Sequence, residues 1–232
     1  MSMNTKVIYD DLGRMDYKET WEYQERFFNL KVAEKGRPVA DGEKIPDRLI
    51  FVEHNHVYTL GKSGSEQNLL LDYIQLQARD ASFYRIDRGG DITYHGPGQL
   101  VGYPIFDLEA MDLGLRDYIH LLEEAIIMCI SRFGIEGSRM EGATGVWIDP
   151  DSGANARKIC AIGVRASRFV TMHGFALNVS TDLSYFNHIN PCGFTDKGVT
   201  SIERETGKRI ELVDVKSIMY NTMREVFGYE YY

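Results

Sequence analysis

The residues best suited to covalent chemistry are a cysteine in a short turn and a lysine in an apolar run. Cys192 lies in the segment "NPCGF", where Pro191 stiffens the chain before it and Gly193 leaves open space after it. A free thiol has a pKa of about 8.5 and becomes an effective nucleophile at neutral pH only beside a cation or a base. Cys192 is therefore a candidate nucleophile that needs a partner.

Lys158 is the candidate partner because it opens the run "KICAIGV", which is otherwise apolar. If this run is a β-strand, Lys158, Cys160 and Ile162 share one face. A lysine that faces inward loses hydration, which lowers its pKa, and beside a thiol the two groups can exchange a proton. The alternative is that the lysine reaches solvent at the edge of the strand. The spacing of the residues does not decide between the two.

The remaining cysteines and histidines fit structural roles more easily. Cys129 falls on the apolar stripe of a predicted helix, and Cys160 is a rival nucleophile whose position in mid-strand makes its thiol hard to reach. His173 interrupts an apolar strand, so it either lines a pocket or is a hydrogen-bonded core residue. His54 and His56 lack a third ligand for a metal ion, which favours surface or hydrogen-bonded histidines.

A long glycine-rich segment, "RGGDITYHGPGQLVGYPI", runs from Arg88 to Ile105. Gly89 and Gly90 lack a Cβ, so their amides can approach a ligand closely, and Gly96–Gly98 forms a rigid turn around a proline. Arg88 and His95 bracket the first part of the segment and could reach one bound group. The segment is either a turn between strands or a wall of a binding site.

The elements that must position these residues are mixed along the chain without regular alternation. Apolar spacing predicts helices over 16–35, about 115–134 and about 211–227, and a short helix in "LLLDYIQLQA". It predicts a hairpin across Ser167–Arg168 and strands in "DRLIFVEHNHVYTL", "SFYRID", "QLVGYPIFDL" and "TGVWID". We therefore predict one α+β domain over residues 1–232, with a mixed, mostly antiparallel β-sheet flanked by helices.

Composition excludes several classes of protein. The net charge is −8, from 26 basic and 34 acidic residues, which argues against a general nucleic-acid-binding protein. Three scattered cysteines suit a reducing compartment, and neither a signal peptide nor a membrane-spanning stretch is recognisable. A cytoplasmic protein with no membrane association is expected. The stretch Ser152–Thr181 holds four cations and no acid, which favours an anionic partner docking there.

Four motifs together resemble the lipoyl(octanoyl) transferases. They are "RGGDITYHGPGQLVGYPI", "RKICAIGVR", "TMHGFALNV" and "INPCG", and the likeness runs from about Asp47 to Ile202. The resemblance implies a fold like that of the biotin/lipoate protein ligases. It implies transfer of an octanoyl group from acyl carrier protein to a lipoyl-domain lysine, the first step of endogenous lipoate synthesis. In that family a cysteine forms an acyl-thioester and a lysine lowers its pKa, roles that fall on Cys192 and Lys158.

The resemblance also implies the substrate-binding residues and the partners. The acceptor would be a lipoyl domain of a 2-oxoacid dehydrogenase or the glycine cleavage H protein, and the enzyme would be a monomer that needs no cofactor or metal. Two alternatives remain, an ATP-dependent lipoate or biotin protein ligase and a non-catalytic acyl-binding module; a cysteine hydrolase using His173 is a third. The residues implied to bind substrate are Arg88, Gly89, Gly90, Asp91, Ile92, Thr93, Tyr94, His95, Ala161, Ile162, Gly163, Gly174, Phe175 and Ala176.

Overall fold

The structure, a computed structural model, describes residues 6–35, 44–190 and 197–232. Within these ranges the chain forms five α-helices, with three short 3-10 helices between them. The helices are α1 (Tyr17–Glu34), α2 (Tyr73–Gln77), α3 (Leu115–Ser131), α4 (Ile202–Thr206) and α5 (Leu212–Phe227). The strands are β1 (Lys6–Arg14), β2 (Asp47–Glu53), β3 (Val57–Leu60), β4 (Ser82–Arg85), β5 (Ile92–His95), β6 (Gln99–Ile105), β7 (Ser138–Met140), β8 (Ala143–Ile148), β9 (Arg157–Ser167), β10 (Val170–Asn178), β11 (Gly198–Val199) and β12 (Glu230–Tyr231).

The main sheet has nine strands in the order β12–β1–β2–β6–β10–β9–β8–β7, with β11 paired to β9. Strand β1 runs parallel to β2 and β12, and β11 runs parallel to β9, whereas the other neighbours are antiparallel. Because strands and helices do not alternate as βαβ units, the architecture is α+β with a mixed, mostly antiparallel sheet. The predicted fold class is confirmed.

Helices cover both faces of the main sheet. Helices α3 and α5 pack on one face, and α1 packs on the other against β6 and β10. The predicted apolar stripe of α3 is confirmed, since Leu122, Ile126 and Cys129 are fully buried. Burying one large aliphatic side chain stabilises a fold by roughly 1.5–3 kcal/mol. The two helical layers hold β6, β9 and β10 at the centre of the molecule.

A second, three-stranded sheet in the order β4–β3–β5 packs beside the main one. The sequence left the glycine-rich segment as either a turn between strands or a wall of a binding site; it contains a strand that was not predicted, β5, which pairs antiparallel with β3. Alternate side chains Ile92 and Tyr94 are buried in the core of this small sheet, which gives the strand its hydrophobic face. The positive φ values of Gly90 (86°) and Gly98 (76°) mark the turns that flank it.

Most of the predicted elements are confirmed, including the long helices and the β9–β10 hairpin. Two residues with positive φ, Arg168 and Phe169, form the hairpin turn, next to the predicted position. Strand β1 escaped prediction because only Val7 is buried among its nine residues, so its apolar pattern is weak. Among the described residues, no helix combines the length and apolar character needed to cross a membrane.

Candidate active site

A cavity of about 440 Å³ lies between the small sheet and the face of the main sheet that carries α1. This volume falls in the ordinary range for a small-molecule site. Residues of β5, β6, β9 and β10 line it, together with Tyr17 of α1. The cavity therefore depends on elements that are far apart in the sequence.

Most of the residues implied to bind substrate meet at this cavity. Two segments that the sequence treats separately are paired residue for residue in adjacent strands, Ala161–Gly163 with Gly174–Ala176. Gly89 and Tyr94 are not among the lining residues: Gly89 donates its N–H to Val164 O (2.8 Å), and Tyr94 packs among the aromatic residues of the small sheet. The lining residues of the implied set are Arg88, Gly90, Asp91, Ile92, Thr93, His95, Ala161, Ile162, Gly163, Gly174, Phe175 and Ala176.

Arg88 ties the glycine-rich segment to the small sheet. Its Nη2 donates to the carbonyl oxygen and to Oγ1 of Thr59 at 2.7 and 3.0 Å, and its Nη1 donates to Gly89 O at 3.0 Å. The side chain also passes close to Gly163, where an added Cβ would lie 3.0 Å from Arg88 Cδ. The guanidinium thus holds the loop in place, and glycine at position 163 makes the room for it.

His95 lies fully buried beside this arginine and is neutral. Burial lowers the pKa of its imidazole to about 3. Its Nδ1 donates to Gln99 Oε1 (2.9 Å), which leaves Nε2 to accept from Thr59 Oγ1 at 3.5 Å. Thr59, which the sequence did not single out, therefore links His95 to Arg88. A neutral ring in this position orders the cavity wall without adding positive charge to it.

His173 lines the cavity although it is only 1% exposed, so it belongs both to the pocket and to the core. Its Nε2 donates to Asp87 Oδ1 at 3.0 Å, and its backbone N–H donates to Gln24 Oε1 at 3.1 Å. Burial lowers the pKa of His173, whereas its hydrogen bond lowers the pKa of Asp87. Sequence reasoning missed Asp87; its position directly before Arg88 was the available signal.

Lys158 also lines the cavity, but not as the alternation of residues predicted. Val146 pairs with Cys160 and Trp147 pairs with Lys158, so β9 has one residue more than β8 at this point. This β-bulge reverses the side-chain alternation. The predicted shared face of Lys158, Cys160 and Ile162 is therefore wrong: Lys158 lines the cavity, and Cys160 lies in the helix-covered core.

Two of the three thiols are buried and poor nucleophiles. Cys129 and Cys160 are fully buried, and burial raises the pKa of Cys129 to about 12 and that of Cys160 well above its usual range. Cys160 is thereby a weak rival nucleophile. Cys192 lies outside the described residues. Two described residues on either side of its segment, Ile189 and Lys197, line the cavity.

The amino group of Lys158 has two close neighbours that the sequence did not single out. Its Nζ donates to the carbonyl oxygen of Thr144 at 3.1 Å and lies 4.6 Å from the centroid of the Trp147 ring. Strand β11 runs beside it, with Val199 paired to Lys158. The lysine is thus directed by β8, β9 and β11 together, and its strand lies inside the sheet and not at the edge.

The stretch Ser152–Thr181 does not form an acid-free surface, contrary to prediction. Arg157 forms ion pairs with Asp149 and Glu205, both at 2.6 Å, and Arg165 forms one with Asp87. The acidic residues come from other segments of the chain. The absence of acids from this stretch of sequence therefore does not make the folded surface acid-free. A docking surface cannot be inferred from this stretch.

The histidines near β2 and β3 are hydrogen-bonded, as predicted. His54 Nδ1 donates to Met15 O (3.0 Å) and its Nε2 accepts from the hydroxyl of Tyr103 (2.8 Å). His56 Nδ1 lies 2.7 Å from the hydroxyl of Tyr94. In the described ranges, no three His, Cys, Asp or Glu side chains come together as a metal site.

Comparison with known proteins shows which family and which proteins this chain is similar to in sequence. The model of the lipoyl protein ligase A/B catalytic domain matches residues 16–224. An octanoyltransferase of Parabacteroides distasonis is 55% identical over 220 residues, which cover 95% of this chain and 98% of that protein. An octanoyltransferase of Christiangramia forsetii is 52% identical over 231 residues, covering 98% of each.

The fold is shared more widely than the sequence. A chain from a structural study of a bipartite lipoate protein ligase and its E2 lipoyl domain from Thermoplasma acidophilum superposes with a TM-score of 0.69 at 13% identity. The match covers 98% of this chain and 86% of that one. At this identity the likeness concerns the fold alone.

Proposed function

The chain belongs to the family of the lipoyl protein ligase A/B catalytic domain, and we propose that it is an octanoyltransferase that moves an octanoyl group from acyl carrier protein to a lipoyl-domain lysine. One observation carries this proposal. About half of the residues are identical to those of octanoyltransferases, over nearly the whole length of those proteins. An acyltransferase of this kind acts in the first step of lipoate synthesis.

The cavity has a wall of small residues along which an acyl chain of this length can lie. Each bond of an extended chain advances about 1.2 Å, as in a polypeptide, so an octanoyl chain spans roughly 8 Å. From the Cα atom of Ala161 to that of Gly163 an extended strand covers about 7 Å at ~3.3 Å per residue, so this wall accompanies most of the acyl chain. Small residues on this wall and on the paired segment Gly174–Ala176 let an aliphatic chain lie against the backbone.

In the proposed first half-reaction the Cys192 thiolate attacks the carbonyl carbon of the octanoyl thioester. The sulfur–carbon bond to Cys192 forms, the bond to the pantetheine sulfur breaks, and the departing thiolate takes a proton from the Lys158 ammonium. Supporting this arrangement, Lys158 lines the cavity and so do Ile189 and Lys197, which flank the segment that contains Cys192. The products are an octanoyl-enzyme, a free pantetheine thiol and a neutral lysine.

In the second half-reaction the ε-amino group of the acceptor lysine attacks the octanoyl-enzyme. The new amide bond forms, the Cys192 sulfur leaves as a thiolate, and the neutral Lys158 accepts the proton lost by the attacking amine. The enzyme returns to its starting thiolate–ammonium state. Each half-reaction thus uses Lys158 once, first as a proton donor and then as a proton acceptor, and neither needs a cofactor or a metal.

The partners and setting follow from the same proposal. The donor is octanoyl-acyl carrier protein, and the acceptor is the lipoyl domain of a 2-oxoacid dehydrogenase or the glycine cleavage H protein. The enzyme acts as a monomer in the cytoplasm. The shared fold with a lipoate protein ligase supports recognition of a lipoyl domain, although it does not separate a transferase from a ligase.

The test is to incubate the protein with octanoyl-acyl carrier protein, without ATP, and to measure its intact mass. We expect one added octanoyl group, located on Cys192 by peptide mapping and lost on transfer to a lipoyl domain. Cys192→Ala should abolish the adduct, while the matched variant Cys160→Ala keeps it. Lipoyl-domain modification only with ATP would indicate a ligase, and octanoyl binding without an adduct would indicate a binding module; either result would overturn the proposal.

A further inference from the structure

The cavity contains one tryptophan, Trp147 of β8, whose ring lies against the amino group of Lys158. The distance of 4.6 Å from Nζ to the ring centroid is within the ~6 Å over which an aromatic face attracts a cation. The carbonyl oxygen of Thr144 accepts a hydrogen bond from the same Nζ at 3.1 Å. Because a π face and a carbonyl oxygen both favour positive charge, these two contacts stabilise the ammonium form of Lys158.

The ring itself is held rigidly. Trp147 is 2% exposed, and its Nε1 donates to the carbonyl oxygen of Ala143 at 2.9 Å. Gly145, with φ of 120°, brings the β8 backbone close to β9: an added Cβ would lie 2.5 Å from Cys160 O and 3.5 Å from Lys158 Cε. The ring and the lysine therefore meet in a fixed geometry that the β-bulge of β9 creates.

The charged groups on the neighbouring elements have partners of their own. Arg157 pairs with Asp149 and Glu205. Glu123 of α3 accepts hydrogen bonds from the N–H of Gly145 and from Arg139. Lys197, Arg88 and Asp91 line the same cavity. Trp147 contacts the Lys158 amino group directly.

We propose that Trp147 is a positioning residue that keeps Lys158 in its ammonium form and holds its amino group in the cavity. The inference rests on the proposed function, since it requires Lys158 to act on Cys192. Trp147 does not touch the reacting atoms in this scheme; it acts through the lysine. Replacing the ring by an aliphatic side chain would leave Lys158 next to an apolar surface, which favours the neutral amine and so reduces the thiolate fraction of Cys192.

The test is the pH dependence of iodoacetamide alkylation at Cys192, followed by peptide mapping in Trp147→Leu and Trp147→Phe. For Trp147→Leu we expect the alkylation midpoint to rise by roughly half to one pH unit, with octanoyl transfer at pH 7 slower by about three- to tenfold. Trp147→Phe keeps a weaker aromatic face, so its shift should be smaller. This second variant also guards against a failure of Trp147→Leu to fold.

The controls separate positioning from a general packing effect. Trp21→Leu removes the other tryptophan of the chain, on α1, and should leave the midpoint unchanged. In a Lys158→Ala background, Trp147→Leu should cause no further shift. An unchanged midpoint in Trp147→Leu, or the same shift with and without Lys158, would overturn the inference alone. An unchanged midpoint in Lys158→Ala would instead overturn the proposed lysine–cysteine pair, and this inference with it.

Discussion

One extra residue in β9 decides which of its side chains can take part in chemistry. Without the bulge, Lys158 would share a face with Cys160 and would bury its charge in the helix-covered core. With the bulge, the lysine reaches the cavity and the thiol stays inert. Strict alternation along a strand is a safe rule only where the register is unbroken, and a bulge is difficult to recognise in a single sequence.

At this scale we predict that Lys158→Ala raises the alkylation midpoint of Cys192. A nearby ammonium favours the thiolate, and an opposite charge within a few ångströms typically moves a pKa by about one to three units. Lys62→Ala, which removes an exposed lysine away from the cavity lining, serves as the matched control and should leave the midpoint in place. Identical profiles for the Lys158 variant and the unchanged protein would contradict the proposed pairing.

The pairing of β6 with β10 shows how two neighbouring strands constrain the site. Gly174 lies so close to β6 that an added Cβ would be 2.2 Å from Gly102 O and 2.7 Å from Pro104 Cδ. We predict that Gly174→Ala lowers the free energy of unfolding by about 2 kcal/mol or more, because backbone atoms cannot move aside. Urea denaturation measures this loss in the free energy of unfolding. Gly89→Ala, whose Cβ would make an ordinary 3.4 Å contact, should change stability by less than about 1 kcal/mol.

The sequence predicted elements well where hydrophobic periodicity is strong and poorly where it is weak. Helices α1, α3 and α5 and the β9–β10 hairpin were all recognisable, because each buries a continuous face. Strand β5 was hidden by the glycines around it, and β1 by its exposure. Partners supplied by distant segments, such as Asp87 for His173 and Trp147 for Lys158, have no signature in local spacing. The motifs identified most of the residues that line the cavity. The orientation of their side chains depends on tertiary contacts, which the sequence does not show.

Across the whole molecule, buried histidines make stability depend on pH. Burial lowers the pKa of His54 to about 4 and that of His95 to about 3, whereas an unfolded histidine has a pKa of about 6.5. Between these values the unfolded chain binds more protons, so stability must fall as pH decreases from about 6.5 toward 4. Each of these residues should add up to about 1.4 kcal/mol per pH unit to that slope.

We predict that His54→Gln makes the dependence of the free energy of unfolding on pH shallower, by the contribution of one buried histidine. Urea unfolding at several values between pH 7 and about pH 5 measures it. The exposed residue His120 offers the matched substitution, His120→Gln, which should leave the slope close to that of the unchanged protein. A slope unaffected by His54→Gln would mean that this imidazole does not contribute to acid destabilisation.

His173 carries a further consequence, because it adopts a backbone conformation (φ 61°) that favours glycine or asparagine. Laboratory evolution for heat resistance alone would be expected to relax this residue toward one of those two amino acids. A histidine at this position lowers the stability of the fold but places an imidazole in the cavity wall. Such a loss of stability is common near the active sites of enzymes. Position 173 is accordingly one that thermostabilisation campaigns should leave untouched.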